Sequence, residues 1–149
     1  MTFFSELGNN TVFGACFVSW FVAQLIKVVL TFLFEKRVDV TRFVGSGGMP
    51  SSHSSFVTSL ATGVGIEYGF DSSVFALALV FALIVMYDAA GVRRAVGKQA
   101  KIINAMVEDL QAHKPNVVTE KRLKELVGHT PVEVFFGAIL GIVVANLMI

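Results

Sequence analysis

Residues 47–55 read GGMPSSHSS: two glycines, a methionine, a proline and one histidine among four serines. Pro50 suits the first turn of a helix, because the N–H it lacks would have no partner there anyway. A helix is therefore expected to start near Ser51 and to carry His53 in its first turn. The pattern recurs at GHTPVE, residues 128–133, where Thr130 can cap and Pro131 can take the first turn. Two of the chain's three prolines thus mark helix starts, each beside a histidine. Free N–H groups and the positive end of the dipole make such starts ready anion sites.

The chain around these starts is oily. It has 149 residues, 54% hydrophobic and 15% charged, where a soluble domain carries about 25% charge. Mean hydropathy is +0.71. The length suits one domain, residues 1–149. A net charge of +1 carries no signal for nucleic acid, and no nucleic-acid partner is expected. One cysteine, Cys16, excludes an intramolecular disulfide and reads as packing in an apolar stretch.

Four apolar segments stand out: Thr11–Phe34, Ser51–Ile66, Val74–Tyr87 and Pro131–Ile149. At about 1.5 Å per residue the first can cross a hydrocarbon layer of about 30 Å. It does not read as a signal peptide, since no basic residue precedes it and Lys27 falls inside it. The second and third are short, but helices inside a bundle tolerate this. The expectation is an all-α integral membrane bundle of about four transmembrane helices.

Charge sets its orientation. Lys36, Arg37 and Arg42 lie in loop 35–50, and Arg93, Arg94, Lys98, Lys101, Lys114, Lys121, Arg122 and Lys124 in loop 88–130. Lys27 is the remaining base. The positive-inside rule puts both loops in the cytoplasm and both termini outside. The long loop has its own pattern. Val96, Ile102, Ile103, Met106, Val107 and Leu110 recur at helical spacing, which predicts an amphipathic cytoplasmic helix over 94–110. Gln111–Thr119 reads as a turn or loop, and Glu120–Leu126 as a short charged helix.

This topology brings chemistry to one face. YDAAGVRR, residues 87–94, ends the third span and delivers Arg93 and Arg94, whose guanidinium forks match phosphate oxygens. Lys27, inside a span, needs a partner or a polar cavity. An imidazole can attack phosphorus, a carboxylate can fix its tautomer, and a second imidazole can protonate the leaving oxygen. Glu133 lies four residues after His129, one helical turn on. Each residue also has a plainer reading. Glu133 can be a first-turn acid favoured by the dipole, and Arg93 and Arg94 can be membrane anchors. Asp88 can pair with either arginine or with Lys27. Ser54, Ser55, Gly63 and Gly65 suit close helix packing, and His113 reads as exposed.

Four stretches in order, AQLIK, SGGMPSSHS, YDAAGVRR and LVGHTPVEVFFG, resemble the divergent branch of the type 2 phosphatidic acid phosphatase superfamily. This superfamily is related to acid phosphatases and vanadium haloperoxidases. The resemblance covers roughly residues 20–149. It implies that His129 is a nucleophile forming a phosphohistidine, Glu133 its orienting partner, His53 the general acid and Ser52 a donor to phosphate. The chain departs from the main family in three places. The first signature, Lys then six residues then Arg-Pro, is missing, and Lys27 stands in for it. Leu123 holds the place of the arginine six residues before the third-signature histidine, so Arg93, Arg94 or Arg122 must supply a guanidinium. Ser52 replaces the glycine next to His53.

The expected function is a lipid phosphate phosphatase. Its catalytic residues would be His129, His53 and Glu133, and its phosphate would be held by Lys27, Ser51, Ser52, Arg93 and Arg94. Substrates would be membrane lipid phosphomonoesters: phosphatidylglycerophosphate, phosphatidate or a polyprenyl phosphate. The resemblance implies no cofactor and no metal, with a metal-dependent variant on His53, Asp88, His129 and Glu133 as the alternative. The lipid bilayer and the lipid substrate are the expected partners, and self-association is left open. The other classes are a non-catalytic membrane protein that binds or carries anionic lipid, and a small structural subunit.

Overall fold

The computed structural model describes residues 2–36, 48–113, 123 and 128–149. They form six helices: α1 (Phe3–Gly8), α2 (Thr11–Glu35), α3 (Ser52–Tyr68), α4 (Ser73–Ala90), α5 (Val92–His113) and α6 (Pro131–Met148). No strand occurs among the described residues. Polar caps set the starts of the longer helices. Asn10 Oδ1 accepts the Phe13 N–H at 2.8 Å, Ser72 Oγ that of Phe75 at 3.1 Å, and Thr130 Oγ1 that of Glu133 at 3.3 Å. Each cap satisfies an N–H that an apolar surround would leave unpaired.

The chain is an all-α membrane bundle. Three stretches are long and apolar enough to cross a membrane: Thr11–Phe34, Ser73–His113 (α4 running into α5) and Pro131–Met148. The fourth expected span, α3, has 17 residues and does not reach that measure. Its surroundings explain why. It is the central helix, packed against α6, α2 and α4, so its neighbours are helices rather than lipid. Its serines and glycines are therefore interior residues.

The packing is inside-out relative to a soluble protein. Ser19, Gln24, Lys27, Ser54, Ser55, Thr58 and Ser59 are buried, while Phe17, Phe21, Leu77, Phe81, Leu83 and Phe135 are exposed. Without a hydrophobic drive between helices in lipid, small residues and hydrogen bonds hold them together. Ser19 and Ser55 share a short hydroxyl contact across α2 and α3, and Ser55 Oγ donates to the Ser19 carbonyl at 3.1 Å. Thr58 Oγ1 lies 3.1 Å from the Ala138 carbonyl of α6. Gly137 and Gly141 allow the close approach of α6 to α3: a Cβ would strike the Ser51 carbonyl at the first and the Ser55 carbonyl at the second.

The helices run in alternating directions. Thr11 donates to Glu67 at 2.5 Å at one end, and Lys27 donates to Ser52 at 3.1 Å nearer the other, so α2 and α3 are antiparallel. Helices α3 and α6 start side by side. Two sequence expectations need correction. Pro50 does not occupy the first turn: Ser51 is the N-cap, and Pro50 precedes it through a cis bond to Met49. Gln111–His113 belong to α5 rather than to a turn, because the helix keeps its backbone pairing to His113. The rest of the predicted turn, most of the predicted helix 120–126, and Arg37, Arg42, Arg122 and Lys124 lie outside the described residues.

Gly137→Val and Gly141→Val each push a side chain into α3 backbone. Overpacking of this kind costs about 1–3 kcal/mol, so both should unfold at lower temperature in detergent. Gly14→Ala, where a Cβ meets nothing within 4 Å, should leave the transition unchanged or raise it slightly.

Candidate active site

The site grows from the paired starts of α3 and α6. The Ser51 N–H donates to the Glu133 carbonyl at 2.9 Å and joins the two starts. The His129 N–H donates to the Ala89 carbonyl at 2.9 Å and ties the same point to the end of α4. Gly128 has φ +92°, and a Cβ there would collide with the backbone of Arg93 and Arg94. Glycine therefore lets the turn before His129 rest on the first residues of α5.

These constraints bring the two imidazoles together. The rings of His53 and His129 have centroids 5.7 Å apart and stand edge to face. His129 is 2% exposed. Its Nδ1 lies 2.9 Å from Glu133 Oε2, which also accepts the Thr130 N–H at 3.2 Å. An ionised carboxylate only accepts, so Nδ1 carries the proton and Nε2 keeps its lone pair. Glu133 therefore does both jobs read from its position: it completes a capping box with Thr130 and fixes a tautomer. Among the described residues, His129 Nε2 and His53 Nδ1 are buried without a hydrogen-bond partner. Buried polar atoms are nearly always paired, so these two nitrogens keep hydrogen-bonding capacity that the described residues leave unused.

Charge surrounds the pair. Lys27 is 3% exposed, and its ammonium donates to Gln24 Oε1 at 2.9 Å and to Ser52 Oγ at 3.1 Å. Arg93 Nε donates to Asp88 Oδ2 at 2.6 Å at the half-exposed edge of the site. Burial pushes the His129 imidazole below its ordinary value of 6.5; the Glu133 hydrogen bond opposes this, and Lys27 and Arg93 add to it. The net direction is down, so His129 is neutral near pH 7.

The structure thus gathers His53, His129, Glu133, Lys27, Ser52 and Arg93. Arg94 follows Arg93 at the start of α5 and is half-buried. Ser51 is fully buried, and its hydroxyl accepts from the Ser54 N–H at 3.3 Å and the Ser54 hydroxyl at 3.0 Å. His113 is exposed at the far end of α5. No group of three or more His, Cys, Asp or Glu among the described residues is placed to hold a metal ion.

Two features escaped sequence reasoning. Gln24 sits one turn before Lys27 and orients it; a polar pair three residues apart in an oily span was the available signal. The second is a groove of about 480 Å³ that reaches Ser52, His53 and Arg93 at one end. Phe17 and Trp20 of α2, Phe56 and Val57 of α3, and Phe81 and Val85 of α4 line the remainder. Phe17 and Trp20 share a helix face, as do Phe81 and Val85, but nothing in the sequence says that these faces converge over α3.

Fold and site define a small helical membrane protein that gathers two facing imidazoles, a carboxylate and a buried lysine at one end. The chain is a member of the Divergent PAP2 family, which matches it over residues 8–144. It is similar to the "Uncharacterized membrane protein YuiD" of Bacillus subtilis (strain 168), with 46% identity over an alignment that covers 92% of each chain. No solved structure gives a significant match. The resemblance read from the four sequence stretches is thereby borne out.

A lowered folded-state value means that the unfolded chain takes up the proton first. Stability contributed by His129 is present above about pH 6.5 and declines as pH falls through that value. Nitrogen-15 NMR of labelled imidazoles should find His129 neutral at pH 6.5, with the proton on Nδ1. Glu133→Gln should shift its titration lower still, because the carboxylate is the group holding it up. A charged His129 at pH 7 would contradict this assignment.

Proposed function

We propose that this protein is a lipid phosphate phosphatase working through a phosphohistidine on His129, with its site at the cytoplasmic face of the membrane. The observation that carries the reading is the pair of facing imidazoles, one locked by Glu133 with a free Nε2. Family membership supports it, and so does the apolar groove that ends on His53. The placement of eleven bases in two loops on one side supports the cytoplasmic orientation.

The chemistry follows from the geometry. His129 Nε2 attacks phosphorus, and the bond from phosphorus to the ester oxygen breaks. An incoming phosphate dianion favours a protonated imidazole beside it, so His53 can hand its proton to the leaving alkoxide. Glu133 stabilises the charge that develops on His129. Lys27, Ser52 and Arg93, with Arg94 beside it, would stabilise the equatorial oxygens. Water then attacks the phosphohistidine, His53 takes its proton, and inorganic phosphate leaves with His129 neutral again. Substrates are phosphomonoesters of membrane lipids: phosphatidylglycerophosphate, phosphatidate or a polyprenyl phosphate.

One observation favours a second reading. Leu123 stands where the main family has arginine, and its backbone is clipped to Asn104 of α5 by hydrogen bonds of 2.9 and 3.0 Å. A site lacking that guanidinium suits a protein that binds or carries anionic lipid without cleaving it.

Release of inorganic phosphate by the purified protein in mixed micelles separates the two. Turnover of at least one of the three lipids is expected. His129→Ala should abolish it, and His53→Ala should lower it by about 10²–10⁴-fold, the usual worth of a general acid. Chelator should leave the rate unchanged. A rate lost in chelator and restored by one divalent ion would replace the phosphohistidine route with a metal-assisted one. Lipid binding with no release from any substrate would establish the carrier.

A further inference from the structure

Among the described residues the backbones of α2 and α4 stay more than 8 Å apart; both helices lie against α3, and the space between them over α3 is the apolar groove. Its walls face outward, since Phe17 and Phe81 are about half exposed. The groove therefore opens sideways onto the region a bilayer would fill, and closes against Ser52 and His53 at its inner end. Apolar walls with a few polar groups at one end are the form of an amphiphile site.

The polar end is short. Phe56 follows His53 by one helical turn, a rise of roughly 5 Å, and from there aromatic and branched side chains line every wall. A glycerol ester places a three-carbon polar backbone and an ester carbonyl between phosphate and hydrocarbon. Those oxygens would fall among Phe56, Val57 and Val85, whose side chains offer no donor, and the Trp20 indole N–H is the one side-chain donor in the apolar lining; each oxygen left unpaired there loses its hydrogen bonds to water. A phosphate carried directly on hydrocarbon has no such cost.

A second groove, about 280 Å³ between α2 and α6, runs from Met49 and Pro50 to Val143 and has none of the site's side chains in its wall. It offers no seat next to the reacting phosphorus. Resting on the phosphatase reading for the role of the polar end, we propose that the groove between α2 and α4 selects lipid phosphomonoesters whose hydrocarbon chain begins at the phosphate oxygen. The chain slides in from the bilayer, and glycerol-based lipid phosphates are bound less well.

Trp20 lines this groove and is the protein's one tryptophan, so its fluorescence reports occupancy without any turnover. The probes are dodecyl phosphate and a lysophosphatidate of equal chain length, each brominated along the chain, titrated into protein in a fixed amount of neutral detergent. Saturable quenching is expected from dodecyl phosphate at concentrations at least tenfold lower than from the lysophosphatidate. The brominated alcohol should quench only in proportion to its partition into the micelle. Val85→Phe, which fills the groove, should weaken the dodecyl phosphate titration at least tenfold, while Leu140→Phe in the second groove should not change it. Equal or tighter binding of the lysophosphatidate, or quenching that never saturates, would overturn the proposal on the wild-type protein alone, whether or not the variants fold. Saturable quenching by a protein that releases no phosphate would overturn the hydrolase reading and leave the groove assignment standing. Turnover without saturable quenching would do the reverse.

Discussion

One backbone hydrogen bond organises the end of the molecule that holds both imidazoles: the Ser51 N–H to the Glu133 carbonyl, at 2.9 Å. It joins the first turns of α3 and α6, which are far apart in sequence. Two things make it possible. Gly137 leaves room for α3 to approach α6, and the buried Ser51 hydroxyl caps its own helix. A single hydrogen bond is worth about 1 kcal/mol net, but an unpaired N–H at this depth would cost more.

The polar interior then has a second purpose. Lipid-facing helices need hydroxyls and small residues to bind one another, and Ser19, Ser55 and Thr58 serve that need. Lys27 is different. A buried ammonium is expensive in a membrane span, and here it is held by Gln24 and Ser52, close enough to act on both imidazoles. Its charge adds to the burial that disfavours the protonated His129 imidazole. The bundle holds this charge in place by hydrogen bonds within the fold, so a preorganised cation stands beside the two imidazoles.

Much of this end was legible in the sequence because it rests on local rules. Thr130, Pro131 and Glu133 announce a capped helix start, and the four-residue step from His129 to Glu133 already permits their hydrogen bond. Asp88 and Arg93 are similarly close in the chain, and they pair. The expectations that missed involve surroundings that the chain supplies from elsewhere. Pro50 satisfies the rule for a first turn, yet Ser51 took the cap and left the proline just outside the helix. Helix α3 is short and serine-rich for a span because three helices surround it, which its own residues do not reveal. The groove depends on α2 and α4 standing apart across α3, a distance no local pattern encodes.

The central claim is that His129 Nε2 is the atom that meets phosphorus. The most direct test is to mix the protein with a turning-over lipid phosphate, quench within milliseconds in alkaline detergent, and map phosphorylated peptides by mass spectrometry. One phosphoryl group on His129, stable in alkali and lost in acid, is the predicted result. A group on a serine or on His53, or turnover with no phosphoprotein at any quench time, would contradict the account.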